Sequence, residues 1–276
     1  MGSNSRRLTM GSYGEFGEGS IIYYSSINSD IVTPYSTTAF GDARIIHNIY
    51  NNDIGEIKFD RELTTIGINA FYKCSKLASV VIPDSVTSIR DKAFYQCSNL
   101  TSLTLPDSVT SIGYNAFNSC TRLTGELIIP DSVISINHDA FRNCSGLTSL
   151  TLGSGVTSIG SNAFGYCSGL TGELVIPDSV SSIGYGAFHS CVNLTSLTLG
   201  SGVTSIGDTA FRYCIRLTSI TCKSPIAPSI YSDSFRNVEN GGILYYPLGS
   251  DYSKWLSTTP NYLGYYNWTG APIQMN

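Results

Sequence analysis

Along most of the chain, apolar residues return at a fixed spacing. In the stretch that begins at Cys97 they stand at Leu100, Leu103, Leu105, Val109, Ile112, Ala116 and Phe117, and Cys120 restarts the series. Leu103-Thr104-Leu105 alternates apolar with polar, the period of a strand with one buried face. Pro106-Asp107-Ser108 then predicts a turn, because Pro fixes φ while Asp and Ser bond back to nearby backbone. Val109-Thr110-Ser111-Ile112 predicts a second short extended run, stopped by Gly113. Ala116, Phe117 and Cys120 share one face at helical spacing, which predicts about one helical turn to close the coil.

The unit recurs from about Leu63 to about Cys222. Its Ala-Phe pair places phenylalanine at Phe71, Phe94, Phe117, Phe141, Phe164, Phe188 and Phe211, a period of 23 or 24 residues. Self-similarity at this period predicts a solenoid. A single coil buries too few side chains to offset the entropy of ordering its backbone, so neighbouring coils must stabilise one another. The 24-residue copies share one change: Thr101-Ser102-Leu103 becomes Thr124-Gly125-Glu126-Leu127, and the same Gly-Glu stands at Gly172-Glu173. An extra residue with glycine at a strand's entrance predicts a bulge.

The motif C-x-x-L-x-x-L-x-L-P followed by D-S-V-T-S-I-G-x-x-A-F resembles the BspA-like class of bacterial leucine-rich repeats. The match runs from roughly Ile57 to Cys222. It implies a repeat solenoid of the α/β leucine-rich-repeat class, strand-dominated with short helical turns, coiled into a right-handed superhelix with the LxxLxL strand on its concave side. The resemblance further implies a non-enzymatic protein, secreted or displayed at the cell surface, that mediates adhesion or protein-protein interaction. Host extracellular-matrix proteins are among the partners it implies.

Outside the regular repeats the pattern weakens, and three regions follow. Residues 1–56 are expected to form an N-terminal cap with a degenerate first repeat. Ile21-Ile22-Tyr23-Tyr24 and Ile31-Val32-Thr33 flank Asn28-Ser29-Asp30 as a hairpin. Ala39-Phe40 is a worn copy of the Ala-Phe turn, and the long gap from Phe40 to Phe71 implies an insertion. Residues 57–222 are the repeats proper. Residues 223–276 hold a last degenerate copy around Ser234-Phe235, a final strand at Ile243-Leu244-Tyr245-Tyr246, and a short helix capped by Ser250-Asp251. An aromatic tail there is suited to cover the last coil.

Composition narrows the function classes. Charged residues are only 13% of the 276, and the net charge is −4 with basic residues scattered along the chain. A nucleic-acid footprint needs a clustered positive face, which this pattern lacks. No apolar run reaches the length of a membrane-spanning helix. The first residues contain no hydrophobic signal-peptide core, so export is not readable here, and surface location follows only from the resemblance.

Chemistry-bearing residues are few. Seven cysteines each follow a repeat phenylalanine by three positions, but close metal-ligand pairs such as C-x-x-C are missing. Ala43 and Val238 fill the same position in the worn copies, so the site is small, buried and apolar, and its cysteines are free thiols. Cys222 takes the place of a strand leucine and belongs to the core as well. Asp84, Asp107, Asp131 and Asp178 recur in Pro-Asp-Ser, where turn chemistry explains them better than a calcium ladder does. His47, His138 and His189 occupy unrelated repeat positions. His189 stands where Tyr72 and Tyr95 do, at a solvent-facing variable position. The spacing fits no catalytic triad, so neither enzyme activity nor a cofactor is expected.

Two binding surfaces remain. Val81, Thr104, Ile128, Thr151, Val175 and Thr198 point outward from the strand face as an uncharged lane, edged by Glu126 and Glu173; this suits a protein partner. The alternative is a glycan stacked on Trp255, Tyr265, Tyr266 and Trp268 in the tail. A spacer with no partner is the third expectation.

Overall fold

The computed structural model describes residues 21–274 and is a strand-dominated β-solenoid of about nine turns. The described chain opens with β1 (Ile21–Ser26), β2 (Ile45–Asn51) and β3 (Ile54–Phe59). The coils then supply β4 (Thr65–Ile66) with β5 (Leu77–Val81), β6 (Ser88–Ile89), β7 (Ser111–Ile112) with β8 (Gly125–Ile129), and β9 (Ser135–Ile136) with β10 (Leu147–Leu152). They continue as β11 (Ser158–Ile159) with β12 (Gly172–Ile176), β13 (Ser182–Ile183) with β14 (Leu194–Leu199), and β15 (Ser205–Ile206) with β16 (Ser219–Cys222). The chain ends in β17 (Ile243–Pro247) and β18 (Thr269–Ile273).

Short strands carry the unbroken ladder. The two-residue pieces β4, β6, β7, β9, β11, β13 and β15 form one seven-stranded parallel sheet, pairing Ser with Ser or Thr and Ile with Ile at every rung. The long-strand side is segmented. β8 pairs only with β10, whereas β12, β14, β16, β17 and β18 make a continuous five-stranded sheet. Its breaks fall just before β8 and β12, the two strands that begin with Gly-Glu. Gly125 and Gly172 adopt φ of +80° and +72°, and the register shifts opposite them, between Leu147 and Ser149 and between Leu194 and Ser196. The predicted bulge is therefore present, with the extra residue carried by the following strand.

The third side of each coil departs from expectation. Among the described residues it contains no α-helix. Ala116, Asn118 and Cys120 donate their N–H groups to carbonyls three residues back, while Asn115, Phe117 and Ser119 donate to His138, Ala140 and Arg142 of the next coil. Asn115 and Ser119 reach this alternation through φ of +56° and +62°. A helical turn would consume every donor within its own coil; here half of them tie coil to coil.

Phenylalanine fills the interior. Phe71, Phe94, Phe117, Phe141, Phe164, Phe188, Phe211 and Phe235 stack in one column, with successive centroids 5.0–5.4 Å apart and planes within 11°. Phe40 and Phe59 close its first end. Trp255 closes the other, 5.4 Å from Phe235 and fully buried. Stacking of this kind adds to the burial of large apolar area.

The N-terminal cap is built differently from the predicted hairpin. Ile31-Val32-Thr33 forms no strand. Side chains have claimed Val32: its N–H donates to Tyr24 Oη, and its carbonyl accepts from Asn48 Nδ2. β1 instead pairs antiparallel with β3 on one side and β5 on the other. The insertion between Phe40 and Phe71 is the β2–β3 hairpin, turned at Asn52-Asp53, where both residues have positive φ as a tight hairpin turn requires. Gly55 lies against the Tyr24 ring, where any Cβ would collide. In the C-terminal cap Asp251 bonds the N–H of Ser253 in a tight turn rather than starting a helix. The helical element described there is the 3-10 turn Leu263–Tyr266.

Candidate functional site

Serine and threonine side chains add a second set of bonds between coils to the backbone ladders. Thr101, Thr124, Thr171 and Thr218 each donate a hydroxyl to a backbone carbonyl one coil back. Ser85, Ser108, Ser132 and Ser179 of the Pro-Asp-Ser turns do the same. The aspartates beside them reach forward. Asp131 Oδ1 accepts from the N–H and Oγ of Ser154, and Asp178 Oδ1 accepts from the N–H of Ser201. The turn chemistry expected of Asp-Ser thus acts between coils, not within one turn. A low charge content with abundant hydroxyls is what such a ladder requires.

The long-strand face carries the predicted lane. Ile128 and Val175 are 56% and 48% exposed; Thr104 and Thr151 are exposed and Val81 and Thr198 half-buried. Ile128 registers with Thr151, and Val175 with Thr198. The cap strands lengthen the lane at both ends, since Tyr23 of β1 lies opposite Val81 and Tyr245 of β17 opposite Thr221. Glu126 and Glu173 do not stand free along its edge. Each bends across one rung to accept the hydroxyl of Thr151 or Thr198 at 2.7 Å. Two identical carboxylate environments offer no division into acid and base.

The aromatic tail is placed otherwise than a glycan platform needs. Trp255 is fully buried, with Nε1 donating to the Pro228 carbonyl; Trp268 is 4% exposed, with Nε1 donating to Glu239. Tyr266 bonds the N–H of Asn237 through its hydroxyl. Of the four tail residues only Tyr265 is well exposed. Both indoles are spent covering the last coil, so neither can stack on a sugar.

All eight cysteines are free, and seven are buried, with Cys74 partly so. From Cys97 to Cys214 each ladder thiol donates to the carbonyl of a phenylalanine one coil back, at 3.0–3.4 Å. Burial pushes the thiols of Cys120, Cys167 and Cys214 up to about 12. Among the described residues no three of His, Cys, Asp and Glu converge on a point where they could hold a metal ion. The histidines lie apart: His47 meets Glu56, His138 accepts from the Ser161 N–H, and His189 lies between Tyr166 and Tyr213. No described helix is long and apolar enough to cross a membrane.

Stacked coils with a strand face, a closed phenylalanine core and capped ends define a leucine-rich-repeat solenoid. The family model described as BspA type leucine rich repeat region (6 copies) matches residues 46–171 and 171–247. The chain belongs to this family, whose repeats serve protein interaction. Among solved structures it is similar to the leucine rich repeat protein of T. pallidum, at 32% identity and a TM-score of 0.50, over 61% of this chain and 73% of that one. A leucine-rich repeat protein from Bacteroides ovatus is 21% identical over 72% of this chain and 61% of that one, with a TM-score of 0.46. The pneumococcal vaccine antigen PcpA shares the fold at 18% identity and a TM-score of 0.50, over 68% of this chain and 44% of that one. No curated protein matches.

Proposed function

We propose that this protein is a non-enzymatic adhesion or interaction module, secreted or held at the cell surface, that binds an extracellular protein along its long-strand face. The observation that carries the proposal is the exposed, uncharged lane through Ile128, Thr151, Val175 and Thr198. Glu126 and Glu173 are drawn onto their neighbouring threonines, so the lane offers β-branched surface with its flanking charges already partnered. Such a surface lacks the Trp and Arg anchors of tight interfaces, which favours weak, repeated contact over one strong site. Surface placement is supported by the BspA-type repeats.

Binding of the purified chain to immobilised extracellular-matrix proteins tests this directly. Replacing Ile128 and Val175 by Lys should abolish retention while leaving the circular dichroism spectrum unchanged. Undiminished binding by that variant would remove the lane from consideration.

A further inference from the structure

The two residues after each column phenylalanine form a row along the turn side of the solenoid, away from the long-strand face. Tyr72 and Tyr95 begin it, stacked at 5.2 Å with planes 8° apart. The next coil offers only Asn118 and Ser119, and aromatic bulk returns at Tyr166. A groove of about 370 Å³ opens where the bulk is missing, with Tyr95 and Tyr166 at its ends and Arg142 and Asn143 between them. Three coil steps separate those tyrosines, each 5.0–5.4 Å along the phenylalanine column.

Beyond the groove the row becomes a cluster of rings and cations. The His189 ring lies edge-on to Tyr166 at 5.0 Å and to Tyr213 at 5.6 Å. The Arg142 guanidinium covers Tyr166 at 5.3 Å, and that of Arg212 covers Tyr213 at 4.9 Å. Arg142 also meets Asp139 at 3.4 Å, yet its side chain stays 42% exposed. Arg212 makes no ion pair within 4 Å among the described residues, and its Nη2 donates to Tyr213 Oη. Burial first, and then the charges of Arg212 and Arg142, hold the His189 pKa below its ordinary value; Asp233 is the acid whose charge acts on Arg212.

We propose that this turn-side row binds an anionic polysaccharide, one that carries sulfate or carboxylate groups. Guanidinium forks pair with such groups in two-point geometry. The ring faces are taken by stacking neighbours and guanidinium groups, so the tyrosines meet a ligand through their edges and hydroxyls, which can bond sugar and sulfate oxygens. The groove between Tyr95 and Tyr166 leaves room for a chain to lie along the row. The site is independent of the long-strand lane.

The test measures retention of the 276-residue chain on dextran sulfate, polygalacturonate, uncharged dextran and polyglutamate. Binding is expected to one or both anionic polysaccharides and not to dextran. Replacing Arg142 and Arg212 by Ala should weaken it at least about tenfold, and the charge-neutral Tyr166→Leu should weaken it about fivefold or more. Arg61→Ala, on an exposed arginine outside the row, should change nothing. No retention on either anionic polysaccharide would overturn the proposal. So would an equal loss with Arg61→Ala, no loss with Tyr166→Leu, or equally tight binding to polyglutamate, which would mark a site for acidic peptides. The double arginine variant should keep any protein binding of the long-strand lane, so the two proposals fail separately.

Discussion

The thiol of Cys144 donates to the carbonyl of Phe117 at 3.2 Å, one coil back, and that carbonyl also accepts the N–H of Cys120 in its own coil. One oxygen therefore joins two coils, and the arrangement repeats along the ladder. A position that tolerates Ala43 and Val238 in the caps is thus more than small and apolar: in the regular coils it supplies a buried donor. Replacing Cys144 by Ala should cost about 1–2 kcal/mol, from the lost bond and the small cavity together. The check is the urea midpoint, which should fall with no change in slope. A midpoint within experimental error of the parent would show that the thiol bond adds nothing.

Reactivity at sulfur follows from the same burial. Only the thiolate attacks an alkylating reagent, and burial lifts Cys74 to about 11 and Cys120, Cys167 and Cys214 to about 12. At neutral pH the native chain should resist iodoacetamide at the ladder positions, with Cys74, the one partly exposed thiol, labelled first. Denaturant should expose all eight at once. Mass spectrometry of the alkylated peptides reads this out, and rapid native labelling of Cys144 or Cys167 would contradict the buried ladder.

Much of this fold could be read directly from residue spacing. Phe94, Phe117 and Phe141 announce an interior column because identical side chains at one repeat position must meet when coils stack, and they do meet. The second extended run and an irregularity at the Gly-Glu copies were legible for the same reason, although the run is a strand only at its Ser-Ile end and the extra residue sits in the following strand. Periodicity could not show what depends on backbone handedness. Ala116, Phe117 and Cys120 have helical spacing, yet Asn115 and Ser119 take positive φ and send alternate donors to the next coil. Asn28-Ser29-Asp30 and Asn52-Asp53 are equally good turn sequences, so the chain alone does not place the cap hairpin; burial of Tyr24 against Gly55 decides between them. The surface row through Arg142, Tyr166 and Arg212 is not legible from spacing because its residues differ from coil to coil. Only stacking brings them together, and no repeat signal marks them. Conversely, Trp255 and Trp268 looked available in the sequence, since nothing local says which coil they will cover.

That burial gives a prediction with two arms. Trp255→Ala should lower stability by about 3–5 kcal/mol, because it opens a cavity at the end of the phenylalanine column. The loss should concentrate in the last coils, as expected where each coil contacts only its neighbours. Hydrogen exchange should show faster amides around Phe235 and Leu244 with little change near Phe94. Tyr265→Ala, on an exposed ring, should leave the exchange pattern and the melting temperature alone. Equal effects from the two substitutions would mean that the tail does not cap the column.

Acid sensitivity can be traced to the turns. The backbone N–H of Ser154 first, and its hydroxyl second, hold the Asp131 carboxyl below the usual carboxylate range; the Ser201 N–H is the main cause of the same shift at Asp178. A carboxyl whose folded pKa is depressed contributes stability that is fully present above the unfolded value, about 3.9 for Asp. The contribution disappears as pH falls through the lower, folded value. Acid should therefore loosen these inter-coil bonds only below the range in which free aspartates titrate. Carbon-detected NMR titration should find Asp131 and Asp178 titrating below a model peptide. Ser154→Ala removes the hydroxyl but keeps the backbone donor, so it should return the Asp131 pKa only part of the way. If Asp131 titrates at or above the free value, the forward-reaching bond between the coils is not formed in solution.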